Sequence, residues 1–219
     1  MKKLLYLILI SATLIACKAD PDFEEIDLGY DYYPNLSGTY IEYEVDSVHY
    51  GATVDTTHFF LREVVADDFV DDEDQRATSI ERYKRLSPMD DWVLADVWTQ
   101  KRTLNTAERV EENERFIRLV FPLEQGKTWN GNSFNLRDEW TYRCATFDAP
   151  FALEDVSFSK TCTIQQRSVS NLVDQQIYKE VYGKNIGMIY KEYTDLAFQD
   201  GDIVGDIVTI QYIDHGYAQ

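Results

Sequence analysis

The feature that most constrains this chain is an alternation of apolar and charged residues with a period of two. It is clearest at Ile41, Tyr43 and Val45, set against Glu42, Glu44 and Asp46. Successive side chains on a strand point to opposite faces, so this pattern describes a half-buried strand of an antiparallel sheet. The phase then changes to Val48 and Tyr50, which places a bulge near Asp46-Ser47. Nowhere does a long stretch hold the 3.6-residue period of an amphipathic helix.

Further strands are expected at 57–66, 78–86, 92–103, 115–121, 140–147, 161–168, 176–182, 187–194 and 208–213. An acid-rich turn spans 67–75, and one helical turn is expected at 151–156. Pro122 ends the strand before it, because proline donates no ladder hydrogen bond. Asn130-Gly131 is a turn signal. Aromatic residues make up 14% of the chain, with Tyr 15 and Phe 11, a composition that packs well on pleated surfaces. The expected fold class is mainly β, a single antiparallel meander whose sheet curves strongly or closes into a barrel to bury its aromatic face.

The N-terminus carries a different message. Met1-Lys2-Lys3 precedes an apolar run from Leu4 to Ala16, the layout of a secretion signal and too short for a spanning helix, which needs roughly 20 residues. The run ends Leu14-Ile15-Ala16-Cys17, which resembles the lipobox of bacterial lipoproteins. That resemblance implies cleavage after residue 16 and acylation of Cys17, with two or more acyl chains forming a stable anchor. Lys18 in place of an aspartate implies the outer membrane. The acidic residues after it resemble the tether of surface-exported Bacteroidetes lipoproteins, implying a domain that faces the exterior, or otherwise the periplasm. The expected organisation is a signal at 1–16, a lipidated cysteine and acidic tether at 17–30, and one β-rich domain at 31–219.

Net charge is −18, and about −20 once Lys2 and Lys3 leave with the signal. A phosphate-backbone partner needs a basic face, so nucleic acid is excluded as a partner. The membrane is met through the lipid anchor, and an envelope protein or glycan is the remaining partner class. Cys144 and Cys162 are left over in a compartment that permits disulfides; pairing them would contribute ~3 kcal/mol. The other reading is two buried thiols behaving as small hydrophobes.

The stretches YPNLSGTYIEYEVDSVHY (33–50), RVEENERFIRLVFPLEQGKTWNGNSFN (109–135) and YGKNIGMIYKE (182–192) together resemble a family of Bacteroidetes outer-membrane lipoproteins. The resemblance spans most of the chain after the signal and implies no activity. In these motifs Gly38, Gly131 and Gly187 suit turns or close backbone approach. Trp129 is expected to plug an end of the sheet with its N–H bonded.

Catalytic and metal chemistry find little support. His49, His58 and His215 have no paired spacing. Asp67, Asp68, Asp71, Asp72, Glu73 and Asp74 crowd one turn but lack the spacing of a calcium loop, and read as a solvated acidic loop. There is no Gly-x-Ser-x-Gly elbow and no phosphate loop. No cofactor, metal or catalytic residue is expected, and the chain is read as not an enzyme. Ser47 in Asp46-Ser47-Val48 and Thr56 in Asp55-Thr56-Thr57 resemble O-glycan acceptors of Bacteroidetes envelopes.

These readings leave three functions: a non-catalytic binding or scaffolding module, a carrier of a lipid or other apolar ligand, and a polysaccharide hydrolase. A cavity of several hundred Å³ would mark the carrier. Two convergent carboxylates in a cleft would mark the hydrolase.

Overall fold

A computed structural model describes residues 27–199 and 201–218 of the chain. The signal at 1–16, Cys17 and the tether through residue 26 lie outside the described residues.

The expected all-β meander is what the chain forms. Its strands are β1 (Thr39–Tyr50), β2 (Val54–Val70), β3 (Arg76–Arg85), β4 (Val93–Arg102), β5 (Thr106–Glu111), β6 (Glu114–Val120), β7 (Thr128–Asn130), β8 (Thr141–Ala152), β9 (Ser157–Ser170), β10 (Asp174–Gly183), β11 (Gly187–Gln199) and β12 (Asp202–Tyr217). They make one antiparallel sheet in the order β6-β5-β4-β3-β2-β1-β12-β11-β10-β9-β8-β7. Neighbours in sequence pair throughout except β6 and β7, which are the edges, and β1 joins β12 at the centre.

The alternation that opens the sequence sets the inner face. Ile41, Tyr43 and Val45 pair with Glu63, Leu61 and Phe59 on β2, and paired residues share a face. The same face gathers Tyr32, Tyr142, Tyr182, Leu119, Cys162 and Ile164 into the core. Tyrosine dominates it because an inward ring fills space while its hydroxyl finds a partner: Tyr43 Oη donates to the Met188 carbonyl at 3.0 Å.

The sheet curls until its two edges nearly meet. Ile117 N–H on β6 donates to the Gly131 carbonyl at 2.9 Å, and Trp129 Nε1 on β7 donates to the Ile117 carbonyl at 3.1 Å. Asn135 Nδ2 adds a bond to the Arg115 carbonyl at 2.9 Å. Side chains therefore complete what the backbone ladder leaves open, which blunts the exposed edges. Trp129 takes the bonded role expected of it. Gly131 lies against the Tyr142 ring, where an added Cβ would stand 2.3 Å from the ring carbons.

Four local expectations are corrected. The register of β1 runs unbroken through Asp46-Ser47; Val48 and Tyr50 simply occupy the outer face, and the irregularity sits opposite Glu42/Tyr43, where β12 carries Ile213 as an extra residue. The helical turn expected at 151–156 is instead the end of β8 and a turn into β9, closed by Leu153 N–H on the Val156 carbonyl at 2.9 Å. Strand β5 lies where no strand is expected. Residues 27–30, assigned to the tether, are already part of the fold. The Leu28 carbonyl accepts from Leu123 N–H at 3.1 Å, and Tyr30–Tyr32 forms a single 3₁₀ turn whose Tyr32 is fully buried.

Candidate ligand-binding site

The curl encloses an interior that is charged at its centre. Adjacent inward positions on β2 and β3 bring Glu63 beside Arg82 (Nε–Oε1 3.0 Å), and Glu63 also pairs with Arg109 on β5 at 2.5 Å. Two residues on, Glu111 lies 3.9 Å from Arg109 and 2.5 Å from Arg118 on β6. Arg118 reaches Glu180 on β10 at 3.2 Å, and Lys191 on β11 approaches Glu180 at 3.4 Å. The result is one chain of alternating charge, Arg82–Glu63–Arg109–Glu111–Arg118–Glu180–Lys191. Its middle is deeply buried, with Glu180 2% and Arg118 4% exposed.

Electrostatics keep the carboxylates ionised. Burial opposes the charge on Glu111, but Arg118, Lys191 and Arg109 outweigh it and hold the carboxyl down to about 2. Burial likewise opposes ionisation of Glu63 and Glu180. Arg109 and Arg82 reverse that for Glu63, and Arg118 and Lys191 for Glu180, so both lie below the usual range. Tyr182 Oη donates to Glu180 at 2.7 Å. A buried pair of this kind costs desolvation that well-packed apolar residues would avoid, and breaking it strands a charge.

Three cavities lie along this interior. The first, about 260 Å³, sits at the end near Tyr33-Pro34, with Leu36, Ile41, Val65 and Ile80 in its wall. The second, about 230 Å³, lies at the centre against Arg82, Arg109, Arg118 and Lys191, faced by Trp98, Met188, Val208 and Ile210. The third, about 360 Å³, opens at the opposite end among Phe116, Trp140, Tyr142 and Tyr178. Glu63, Arg109, Tyr182 and Met188 border both the first and the second; Glu111, Arg118, Lys191 and Tyr193 border both the second and the third. The charged chain is thus the partition between adjoining chambers.

The candidates read from sequence lie elsewhere. Cys144 and Cys162, expected as a disulfide, are buried free thiols. The physical reason is register: Cys144 pairs directly with Ile164 across β8 and β9, leaving Cys162 on the diagonal, where cross-strand spacing is roughly 7–8 Å and exceeds a disulfide's reach. Burial raises the Cys144 thiol to about 11, and its Sγ donates to the Thr146 carbonyl at 3.3 Å. Ser47 and Thr56 sit on adjacent strands at one end of the barrel, with Thr56 exposed and Ser47 half-buried.

The histidines do not meet. His49 Nδ1 is 2.7 Å from Asp206, His58 Nδ1 is 2.9 Å from Asp46, and His215 Nδ1 is 2.7 Å from the Tyr212 hydroxyl. Among the described residues, no group of three His, Cys, Asp or Glu is placed to hold a metal. The acid-rich turn is not a loose solvated loop. Asp71 and Glu73 both bind Lys101, at 2.8 and 2.7 Å, and Glu73 also binds Arg115 at 2.7 Å, which pins the β2–β3 hairpin against the outer face of β4–β6. The Lys101 bond and the backbone N–H groups hold Asp71 at about 2. The Arg115 and Lys101 bonds do the same for Glu73. The chain of interior charges was missed in the sequence because each member is an ordinary Glu, Arg or Lys on a different strand. Its one signal was Glu180, set between Tyr178 and Tyr182 at a position that alternation directs inward.

No family model matches the chain, and no curated protein matches it. Among solved structures it is similar to a protein of Parabacteroides distasonis ATCC 8503 provisionally named a lipoprotein. The two are 9% identical, the likeness covers 88% of this chain and all of that one, and the TM-score is 0.37. It is also similar to a DUF1329 family protein of Desulfovibrio piger ATCC 29098, at 13% identity over 84% of this chain and 87% of that one, with a TM-score of 0.21. Neither likeness bears on function.

Proposed function

We propose that this chain is a non-catalytic binding module of the bacterial cell envelope, anchored through acylated Cys17 at the outer membrane and facing the exterior. The observation that carries the binding reading is the pairing of the interior carboxylates. Glu63, Glu111 and Glu180 each rest against arginine and stay ionised. A general acid needs a carboxyl whose pKa is raised toward working pH, and these are displaced the other way. The interior supports selective occupancy of fixed chambers rather than proton transfer.

The anchor and address rest on the N-terminal sequence. Protein isolated from its host's membranes should begin at Cys17 and carry fatty acid by intact mass. Protease added to intact cells should degrade it. Capture from the native envelope should recover a protein or glycan that soluble domain displaces by competition. An unacylated N-terminus at another residue would overturn the anchor, and capture without any displaceable partner would overturn the module.

A second reading, a carrier of an apolar ligand, is favoured by the first cavity, whose wall includes Leu36, Ile41, Val65 and Ile80. At about 260 Å³ it fits a small apolar body, and the charges of Glu63 and Arg109 at its border stop an acyl chain from running further inward. Native mass spectrometry of gently extracted protein separates the readings, since a carrier retains a bound apolar molecule.

A further inference from the structure

The interior chain holds four cations, Arg82, Arg109, Arg118 and Lys191, against three carboxylates, Glu63, Glu111 and Glu180. In a protein of net charge −18, the seven members of this chain, with Asp96 at its end left aside, sum to one positive charge. Asp96 reaches Arg82 at 3.3 Å, but its side chain is 44% exposed and shared with solvent. A second observation is independent of this count. Among the described residues, the buried side-chain atoms that lack a partner are Arg85 Nε, Arg109 Nε, Arg118 Nε and Gln166 Nε2. All four are donors. Three of these residues border the interior cavities: Arg109 and Arg118 the central one, Arg118 and Gln166 the outer one. Gln166 is only 6% exposed. Burying an unmatched donor is costly, and its natural complement is an acceptor carrying negative charge.

We propose that the central cavity is a binding site for a small organic monoanion, with its carboxylate against Arg109, Arg118 and Lys191 and its apolar body against Trp98 and Met188. The volume of about 230 Å³ sets the size class at a short-chain or single-ring carboxylate. The lining sets the polarity: one charged wall, in which Glu63, Glu111 and Glu180 are already paired and Arg109 Nε and Arg118 Nε are donors to spare, and one apolar wall. Lys191 gives the path of entry, since it borders both the central and the outer cavity and its side chain is 23% exposed. The inference rests on the reading of the barrel as a binding module, and is independent of the anchor.

The test uses the folded protein without its signal, with sodium hexanoate as probe and hexanamide as its neutral counterpart, in buffer of low ionic strength. Calorimetry should show saturable binding of one hexanoate per chain, at least about tenfold tighter than hexanamide. In a nuclear magnetic resonance titration, the Met188 methyl and Trp98 indole signals should move with hexanoate. Lys191→Met brings the chain to three cations and three carboxylates, and should weaken hexanoate by about tenfold or more while leaving hexanamide unchanged. Should that variant fail to fold by circular dichroism, the comparison of the two probes on the native protein decides alone. Equal binding of both probes, perturbation confined to the outer surface, or no saturable binding, with water alone satisfying the donors, would overturn the site. Those outcomes leave the binding-module reading standing. Loss of the envelope partner with hexanoate still bound would do the reverse.

Discussion

Arg118 on the edge strand β6 meets Glu180 on β10 inside the barrel, Nη1 to Oε1 at 3.2 Å, although the two strands share no ladder. Sixty-two residues apart in sequence, they join opposite parts of the sheet through its interior. Removing the guanidinium leaves Glu180 with Lys191 alone and Glu111 with Arg109 at 3.9 Å, both in a buried setting. Arg118→Met should therefore lower stability by about 3–5 kcal/mol in urea unfolding. Adding Glu111→Gln to that variant should restore part of the loss, because Glu180 keeps Lys191 and Glu63 keeps Arg82 and Arg109. A single variant as stable as the native protein would contradict the buried pairing.

Trp129 is one of two side chains, with Asn135, that bond across the seam from β7 and the turn after it to β6. Trp129→Phe keeps the ring and removes the Nε1 bond to the Ile117 carbonyl. A net loss of about 1 kcal/mol is expected. Hydrogen exchange should show where it falls: the Ile117 amide, which donates to Gly131, should exchange faster, while amides of the central β1–β12 ladder stay protected. Uniform loss of protection across the sheet would argue against a local seam.

Gly131 is required by the ring beside it. A Cβ there would stand 2.3 Å from the Tyr142 ring, and Tyr142 is buried and hemmed in by the core. Gly131→Ala should cost about 1–3 kcal/mol as the ring is forced aside. An unchanged thermal midpoint would mean that the ring has room to yield.

The two core cysteines give a chemical readout. With Cys144 on the neutral side of its raised pKa and both thiols buried, the native protein should resist alkylation at pH 7. In denaturant without reductant, two equivalents of thiol should react per chain from Cys144 and Cys162, Cys17 left out of the count. Finding none would show a disulfide that the β8–β9 register does not accommodate.

Much of this fold was legible because each strand carries its own instruction. Ile41, Tyr43 and Val45 declare an inner face before any partner is known, and the short connections leave consecutive strands little choice but to pair. What escaped is of two kinds. Strand β5 holds Ala107, Arg109 and Glu111 on its inner face, so its alternation is not one of apolar against polar, and a buried arginine hides the signal. The phase change at Val48 was read as a bulge because aromatic and aliphatic residues on an outer face mimic a shift of register. The candidate site belongs to the same class. Arg82, Arg109, Arg118 and Lys191 stand on four strands, and only closure of the sheet makes them neighbours. Sequence reasoning weighs charges as surface, and here seven of them are the interior.

The central claim is that the barrel is lined by carboxylates kept ionised by paired cations. A carbon-13 carboxyl titration by nuclear magnetic resonance tests it most directly. A carboxyl whose pKa is lower folded than unfolded adds stability above the unfolded value, near 4.5 for glutamate, and loses it as pH falls toward the folded value. The signals of Glu63 and Glu180 should thus titrate below the ordinary glutamate range and that of Glu111 at about 2 if the fold survives, with acid unfolding setting in as pH falls below 4.5. A carboxyl among these three that took up its proton near neutral pH would contradict the account, and would mark a poised acid where a fixed, paired scaffold is claimed.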